Sequence, residues 1–221
     1  MKVTTLKTVP AQRRKAGAFT LIEMIGVLAV IAILAALLIP KVFTAISNAR
    51  VNNAAVSCQT VKTALADHYA KFGSIPVDGS SGTPVNLTPG VGAATNYDQV
   101  LLKEGFLDKP FAVKIGDGTA NTRVEVIDIS LLTTNSVVDG TGTTGYNLTG
   151  AAGNKNTITG STVVQAVITG CNESDARDLS ERVDGAIGLL TQPTTGTNDF
   201  SGRVKYNMGT PTVAYVYLTH R

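Results

Sequence analysis

Tryptophan is absent from this chain of 221 residues, cysteine and histidine occur twice each, and aromatic residues make up only 5%. Two cysteines cannot staple a disulfide-framework scaffold, nor by themselves supply a four-thiolate metal site. Two histidines, one of them next to the C-terminus, leave little material for histidine-based catalysis. No GxSxG, HExxH, EF-hand or paired-carboxylate pattern is present. Charged residues are scarce as well, at 16%. What charge there is lies unevenly. Lys2, Lys7, Arg13, Arg14 and Lys15 fall within residues 1–18 without one acid, whereas the remaining residues hold two more acids than bases. The mild net charge of +3 therefore supports no nucleic-acid partner.

What the chain does have is one long apolar run. From Phe19 to Ile39 it reads FTLIEMIGVLAVIAILAALLI, with Glu23 its one charge. At about 1.5 Å per residue such a helix spans a hydrocarbon core of roughly 30 Å. The basic cluster before it places residues 1–18 on the cytoplasmic side and exports the chain beyond the helix. An ordinary secretory signal has a shorter apolar region, and its best small-x-small cleavage site, Ala45-Ile46-Ser47, lies beyond Pro40. A carboxylate inside a membrane helix is costly, which marks Glu23 as a functional residue.

Small residues Gly17-Ala18 close the basic leader, Phe19-Thr20-Leu21-Ile22-Glu23 comes next, and Pro40 ends the apolar run. In this the chain resembles the type IV filament superfamily, the type IV pilins and the pseudopilins of type II secretion. The resemblance covers about residues 13–45. It implies cleavage between Ala18 and Phe19 by a prepilin peptidase, N-methylation of Phe19, subunit assembly through Phe19 and Glu23, and a helix kink at Pro40. The chain has Ala18 where the family has glycine before the cut, and Ala32 where many members have a mid-helix glycine. Implied partners are further copies of the chain in a helical filament, the peptidase/methyltransferase and an inner-membrane assembly platform. The implied location is the inner membrane as a single pass with its N-terminus cytoplasmic, then a periplasmic or extracellular filament. A structural subunit of a type IV pilus-like filament is the first reading. A secretion pseudopilin, and a membrane-tethered binding protein or enzyme that never polymerises, are the alternatives. No enzyme activity, cofactor or metal is expected.

Beyond Pro40 the helix becomes amphipathic. Val51, Ala54, Ala55, Cys58, Val61, Leu65, Tyr69 and Phe72 recur at three- and four-residue steps, and Gly73 with Pro76 stops the helix. The expected organisation is a leader at 1–18, a membrane or filament-core helix at 19–40, its amphipathic second half at 41–72 and a globular α+β head at 73–221. The fold class is α+β, a long N-terminal helix packed on an antiparallel sheet, as in the pilin fold. Short helices are expected at Tyr97–Leu107, capped by Thr95 or Asn96, and at Asn172–Val183, capped by Ser174. Strands are expected at Ala112–Ile115, Arg123–Leu132, Thr157–Thr169, Arg203–Asn207 and Thr212–Thr219.

His68 sits off the apolar stripe and reads as a surface or groove-edge residue. Asp78, Asp117, Asp139 and Asp184 each precede glycine, without the spacing of a Ca²⁺ loop. Gly140–Gly145 matches GxGxxG but opens no helix, so it reads as a turn. Asn86, Asn147 and Asn172 head N-x-S/T triplets that read as turns. Export permits a bridge between Cys58 and Cys171; two separate buried thiols are the alternative.

Overall fold

A computed structural model describes residues 19–75, 77–78, 83–84, 96–116, 122–133, 136–138, 142, 144–150, 153, 155–158, 162–185, 198–207 and 212–221. The leader with Ala18, the residues Asp117, Asp139 and Asn86, and most of the connection at 79–95 lie outside the described residues. The elements are α1 (Leu21–Phe72), β1 (Val77–Asp78), β2 (Thr83–Pro84), α2 (Tyr97–Lys103), β3 (Arg123–Asp128), β4 (Thr162–Cys171), α3 (Glu173–Asp184), β5 (Val204–Asn207) and β6 (Thr212–His220). The chain divides after Thr44 into two compact units.

The first unit is the start of α1. From Phe19 to Ile46 every large apolar side chain is exposed. Helix α1 is long and apolar enough to cross a membrane. Pro40 lies inside it without ending it, and the Thr44 hydroxyl donates to the Pro40 carbonyl at 3.1 Å.

The second unit is a four-stranded antiparallel sheet of order β3-β4-β6-β5, covered on both faces. Val51, Ala54, Cys58, Val61, Ala64 and Leu65 of α1 share a core with Val124, Val126, Val164, Ile168, Val216 and Leu218. Alternation along each strand sends one set of side chains to the helix and the other to the opposite face. There Val163 packs with Ile127, Ile129, Tyr146 and Ile158. Central β4 is therefore buried along nearly its whole length. Its register shifts between Thr169 and Cys171, where Gly170 takes a φ of 72°. That left-handed backbone accommodates an extra residue without a Cβ penalty.

Several boundaries differ from expectation, each for a local reason. Ala112–Ile115 forms no strand, although Phe111, Val113 and Ile115 are alternately buried. The buried Asp98 carboxylate takes the Phe111 N–H at 3.2 Å and the Val124 N–H at 3.4 Å, tying α2 to this segment and to β3. Strand β3 ends at Asp128, whose side chain accepts the Ser130 N–H at 2.8 Å and turns the chain. Strand β4 starts at Thr162 rather than Thr157, because Asn156 holds the preceding segment through the Tyr146 and Ile158 N–H groups. Helix α3 is capped by Asn172 rather than Ser174, and Asn96 enters α2 with φ 64°; neither makes a side-chain cap bond.

Candidate functional site

The first turn of α1 has its own polar geometry. Thr20 precedes the helix and its hydroxyl accepts the Glu23 N–H at 3.3 Å. In return a Glu23 carboxylate oxygen accepts the Thr20 N–H and the Thr20 hydroxyl, both at 2.8 Å. This is a capping box, two otherwise orphaned donors satisfied reciprocally. It was legible as Thr-x-x-Glu, but a lone charge in an apolar run directs a sequence reading to membrane cost instead. The box lowers that cost by giving the carboxylate two donors inside its own chain. After it come the exposed apolar side chains through Ile46. A Cβ placed on Gly26 would meet no atom within 4 Å beyond the helix's own backbone, so the surface there is open and a neighbouring helix has room to approach.

A capped acid at the head of an uncovered apolar helix, behind a basic leader, has a counterpart among known protein families. Residues 13–39 match the model described as the prokaryotic N-terminal methylation motif. The chain carries that methylation motif. It is the signature of type IV pilins and pseudopilins, and it bears out the resemblance read from Ala18, Phe19 and Glu23. The α+β layout of a long apolar helix and a four-stranded antiparallel sheet fits the pilin fold. The motif with the apolar helix fits membrane anchoring. No curated protein and no solved structure matches the chain.

The remaining candidates lie in the second unit. Cys58 and Cys171 are both buried, and they are not joined to each other in this structure. Burial pushes the Cys58 thiol up to about 12, which makes the reactive thiolate scarce. Cys171 turns back along its own strand, its thiol 3.6 Å from the Ile168 carbonyl.

His68 is fully buried, against the expectation of a surface residue. Its Nδ1 lies 2.6 Å from the Glu104 carboxylate and its Nε2 3.0 Å from the Tyr97 hydroxyl. That hydroxyl donates to the Ile75 carbonyl. The rings of Phe72 and Phe106 complete the enclosure at 4.8 and 5.7 Å. Position 68 lies three residues after Leu65 and four before Phe72, so the stripe's own spacing reaches it; its polar partners come from α2 and the turn after it, which periodicity on α1 does not reveal.

A second polar cluster lies under the far face of the sheet. Lys205 is fully buried and its Nζ donates to the Thr144 and Gly145 carbonyls at 2.6 and 3.0 Å, with the Tyr146 ring centroid 4.3 Å away. Gln165 accepts from the Tyr146 hydroxyl at 2.6 Å and donates to the Gly142 carbonyl at 2.8 Å. A Cβ at Gly145 would run into the Asn156 amide. The glycines of 140–145 that lie among the described residues are thus packed against protein, as a turn and not a phosphate cradle.

Asp184 accepts the Arg203 and Val204 N–H groups at 2.6 and 3.0 Å, while burial pushes its carboxyl above the usual range. Among the described residues no group of three or more His, Cys, Asp or Glu is placed to hold a metal ion.

Proposed function

We propose that this protein is a structural subunit of a type IV pilus-like filament, inserted in the inner membrane and polymerised through α1. A prepilin peptidase cuts between Ala18 and Phe19 and methylates the new amine of Phe19. The methylation motif at residues 13–39 carries this reading. Two features of α1 support it: an apolar surface that its own chain leaves uncovered through Ile46, and a carboxylate at its head.

The chemistry of assembly comes from charge cost. The freed Phe19 amine has an ordinary pKa of about 7.7–8.0 and is mostly cationic at neutral pH. Glu23 lies four residues on, about 6 Å along the helix. In the isolated subunit Thr20 occupies Glu23. In a helical bundle the carboxylate of an incoming subunit meets the Phe19 amine of a neighbour, and each relieves the other's cost in an apolar surround. Only one axial register brings the two together. Identical subunits joined head to tail by a contact that does not close on itself make a fibre. Pro40 removes one helix donor and crowds the carbonyl of Ala36, which gives α1 a place to bend during packing.

The test is Glu23→Val in the native host. Expected is a membrane-inserted, cleaved subunit whose ratio of sheared filament to membrane pool falls at least tenfold. Normal filament yield would refute the register role. Loss of cleavage with assembly otherwise intact would move Glu23 to peptidase recognition.

A further inference from the structure

One buried cluster holds both ends of the long connection between α1 and α2. Ile75 precedes the connection, and its carbonyl accepts the hydroxyl of Tyr97, the first residue of α2. The same hydroxyl lies 3.0 Å from His68 Nε2, and His68 Nδ1 lies 2.6 Å from the carboxylate of Glu104, just after α2. The side chains of His68 and Glu104 are 0% and 3% exposed. Connections longer than about 12–15 residues are uncommon in compact domains and mostly functional. This one runs from 76 to 96 and holds the antiparallel pair β1–β2.

The hydrogen bonds fix where the protons are. The Tyr97 hydroxyl has one hydrogen and the Ile75 carbonyl can only accept it, so Nε2 donates to the hydroxyl oxygen. An ionised carboxylate also only accepts, so Nδ1 donates to Glu104. Histidine is ordinarily the more basic partner by about two pH units, which leaves the shared proton on the ring. With both nitrogens donating, the ring is an imidazolium. Without that proton a lone pair would face a carboxylate oxygen in a site that the Phe72 and Phe106 rings enclose. The other charged groups around the cluster do not replace it. Lys71 Nζ lies over those two rings, 5.1 and 5.5 Å from their centroids, and Asp67 and Lys103 are exposed. Asp98, beside Tyr97, is committed to the Phe111 and Val124 N–H groups.

We infer that His68, Tyr97 and Glu104 form a proton-dependent clasp, which holds the two ends of the 76–96 connection together at neutral pH and lets them part as the medium turns alkaline. A solvated histidine gives up its proton above about pH 6.5, whereas the closed clasp keeps it. Opening then releases a proton. The opening constant therefore rises by up to about tenfold per pH unit above 6.5, until the closed form loses the proton too. The clasp lies wholly within the second unit and does not depend on the filament reading.

Hydrogen exchange of the full chain in mild detergent tests this between pH 7 and 9, read as protection factors so that the ordinary pH dependence of exchange is removed. That range lies above the one in which Asp199 titrates, at about 6. Protection of the Gly73 and Leu101–Glu104 amides falls at least tenfold across it, while Val164 and Ala166 of β4 keep theirs. Glu104→Gln offers an N–H to an unprotonated Nδ1, so each contact survives without the extra proton and the profile becomes flat. A flat wild-type profile overturns the clasp, as does a Glu104→Gln profile as steep as wild type. Equal loss at Val164 and Ala166 overturns it too, since the titration would then belong to the core as a whole. Should Glu104→Gln fail to fold, nitrogen NMR of the wild-type imidazoles at pH 7.5 decides. A solvated histidine is about nine-tenths neutral there. The clasp requires both His68 nitrogens to be protonated, and one bare nitrogen refutes it.

Discussion

Asp199 accepts the Ser201 N–H at 3.0 Å and the Ser180 hydroxyl at 3.2 Å, yet burial pushes its carboxyl up to about 6. The nearby Asp184 adds to the rise. The folded state therefore holds this proton more tightly than the unfolded chain, where an aspartate titrates near 3.9. Its contribution to stability is fully present below about pH 4 and is lost as pH rises through about 6, with a span of about 3 kcal/mol or less. Asp199→Asn keeps an acceptor for Ser201 and removes the titration. Denaturation of the full chain in mild detergent should show the variant more stable than wild type at pH 7, with the gap closing by pH 4. Parallel pH profiles would refute the assignment. At the head of α1, Thr20→Val keeps the shape of the side chain and deletes the cap. Loss of an N-cap costs about 1 kcal/mol, roughly fivefold in local opening. Hydrogen exchange of the Leu21–Met24 amides should quicken by about that factor, and unchanged exchange would show that the capping box contributes nothing in the membrane-mimetic state.

Among the elements, β4 shows how one strand organises two cores. Its even positions, Val164, Ala166 and Ile168, meet α1, whereas Val163 and Gln165 hold the segment around Tyr146 on the other face. Lys205 on β5 fastens the same segment by two charge-assisted bonds. Lys205→Met would leave those carbonyls unsatisfied in a dry site, at a cost of about 2–4 kcal/mol. The measurement is the denaturant midpoint, and a shift under about 0.5 kcal/mol would show that the cation is dispensable. The stripe on α1 and the β-branched strands were legible because their periods, 3.6 and 2, are written in local sequence. Val51, Cys58, Val61 and Leu65 fall where the stripe puts them. His68 falls on the same three- and four-residue steps, between Leu65 and Phe72, so its burial was open to the same reading; the polar partners of His68 and Lys205 lie 29–61 positions away, which no periodicity reports. The alternation of Phe111, Val113 and Ile115 misled for the converse reason: burial has a period of two there, but the Phe111 N–H goes to Asp98 rather than to a neighbouring strand. At the first turn, the Thr20–Glu23 spacing held the cap in plain view while Glu23 stood out for its charge alone.

For the whole molecule, an uncovered apolar helix and a head with a core on both faces of its sheet divide the work. Residues after Thr44 bury an apolar core of their own; the residues before it bury almost nothing within the chain, which fits membrane anchoring. The methylation motif sits wholly in that earlier part, at residues 13–39. The filament account therefore turns on how that part is processed and where it then goes. Intact-mass analysis of sheared surface filaments from the native host joins both questions in one sample. The account predicts that the filament's protein begins at Phe19 and carries one methyl group on its N-terminal amine. A chain found only in the membrane fraction with its leader intact, or one that begins beyond Pro40 at Asn48 as an ordinary signal peptide would leave it, would contradict the account.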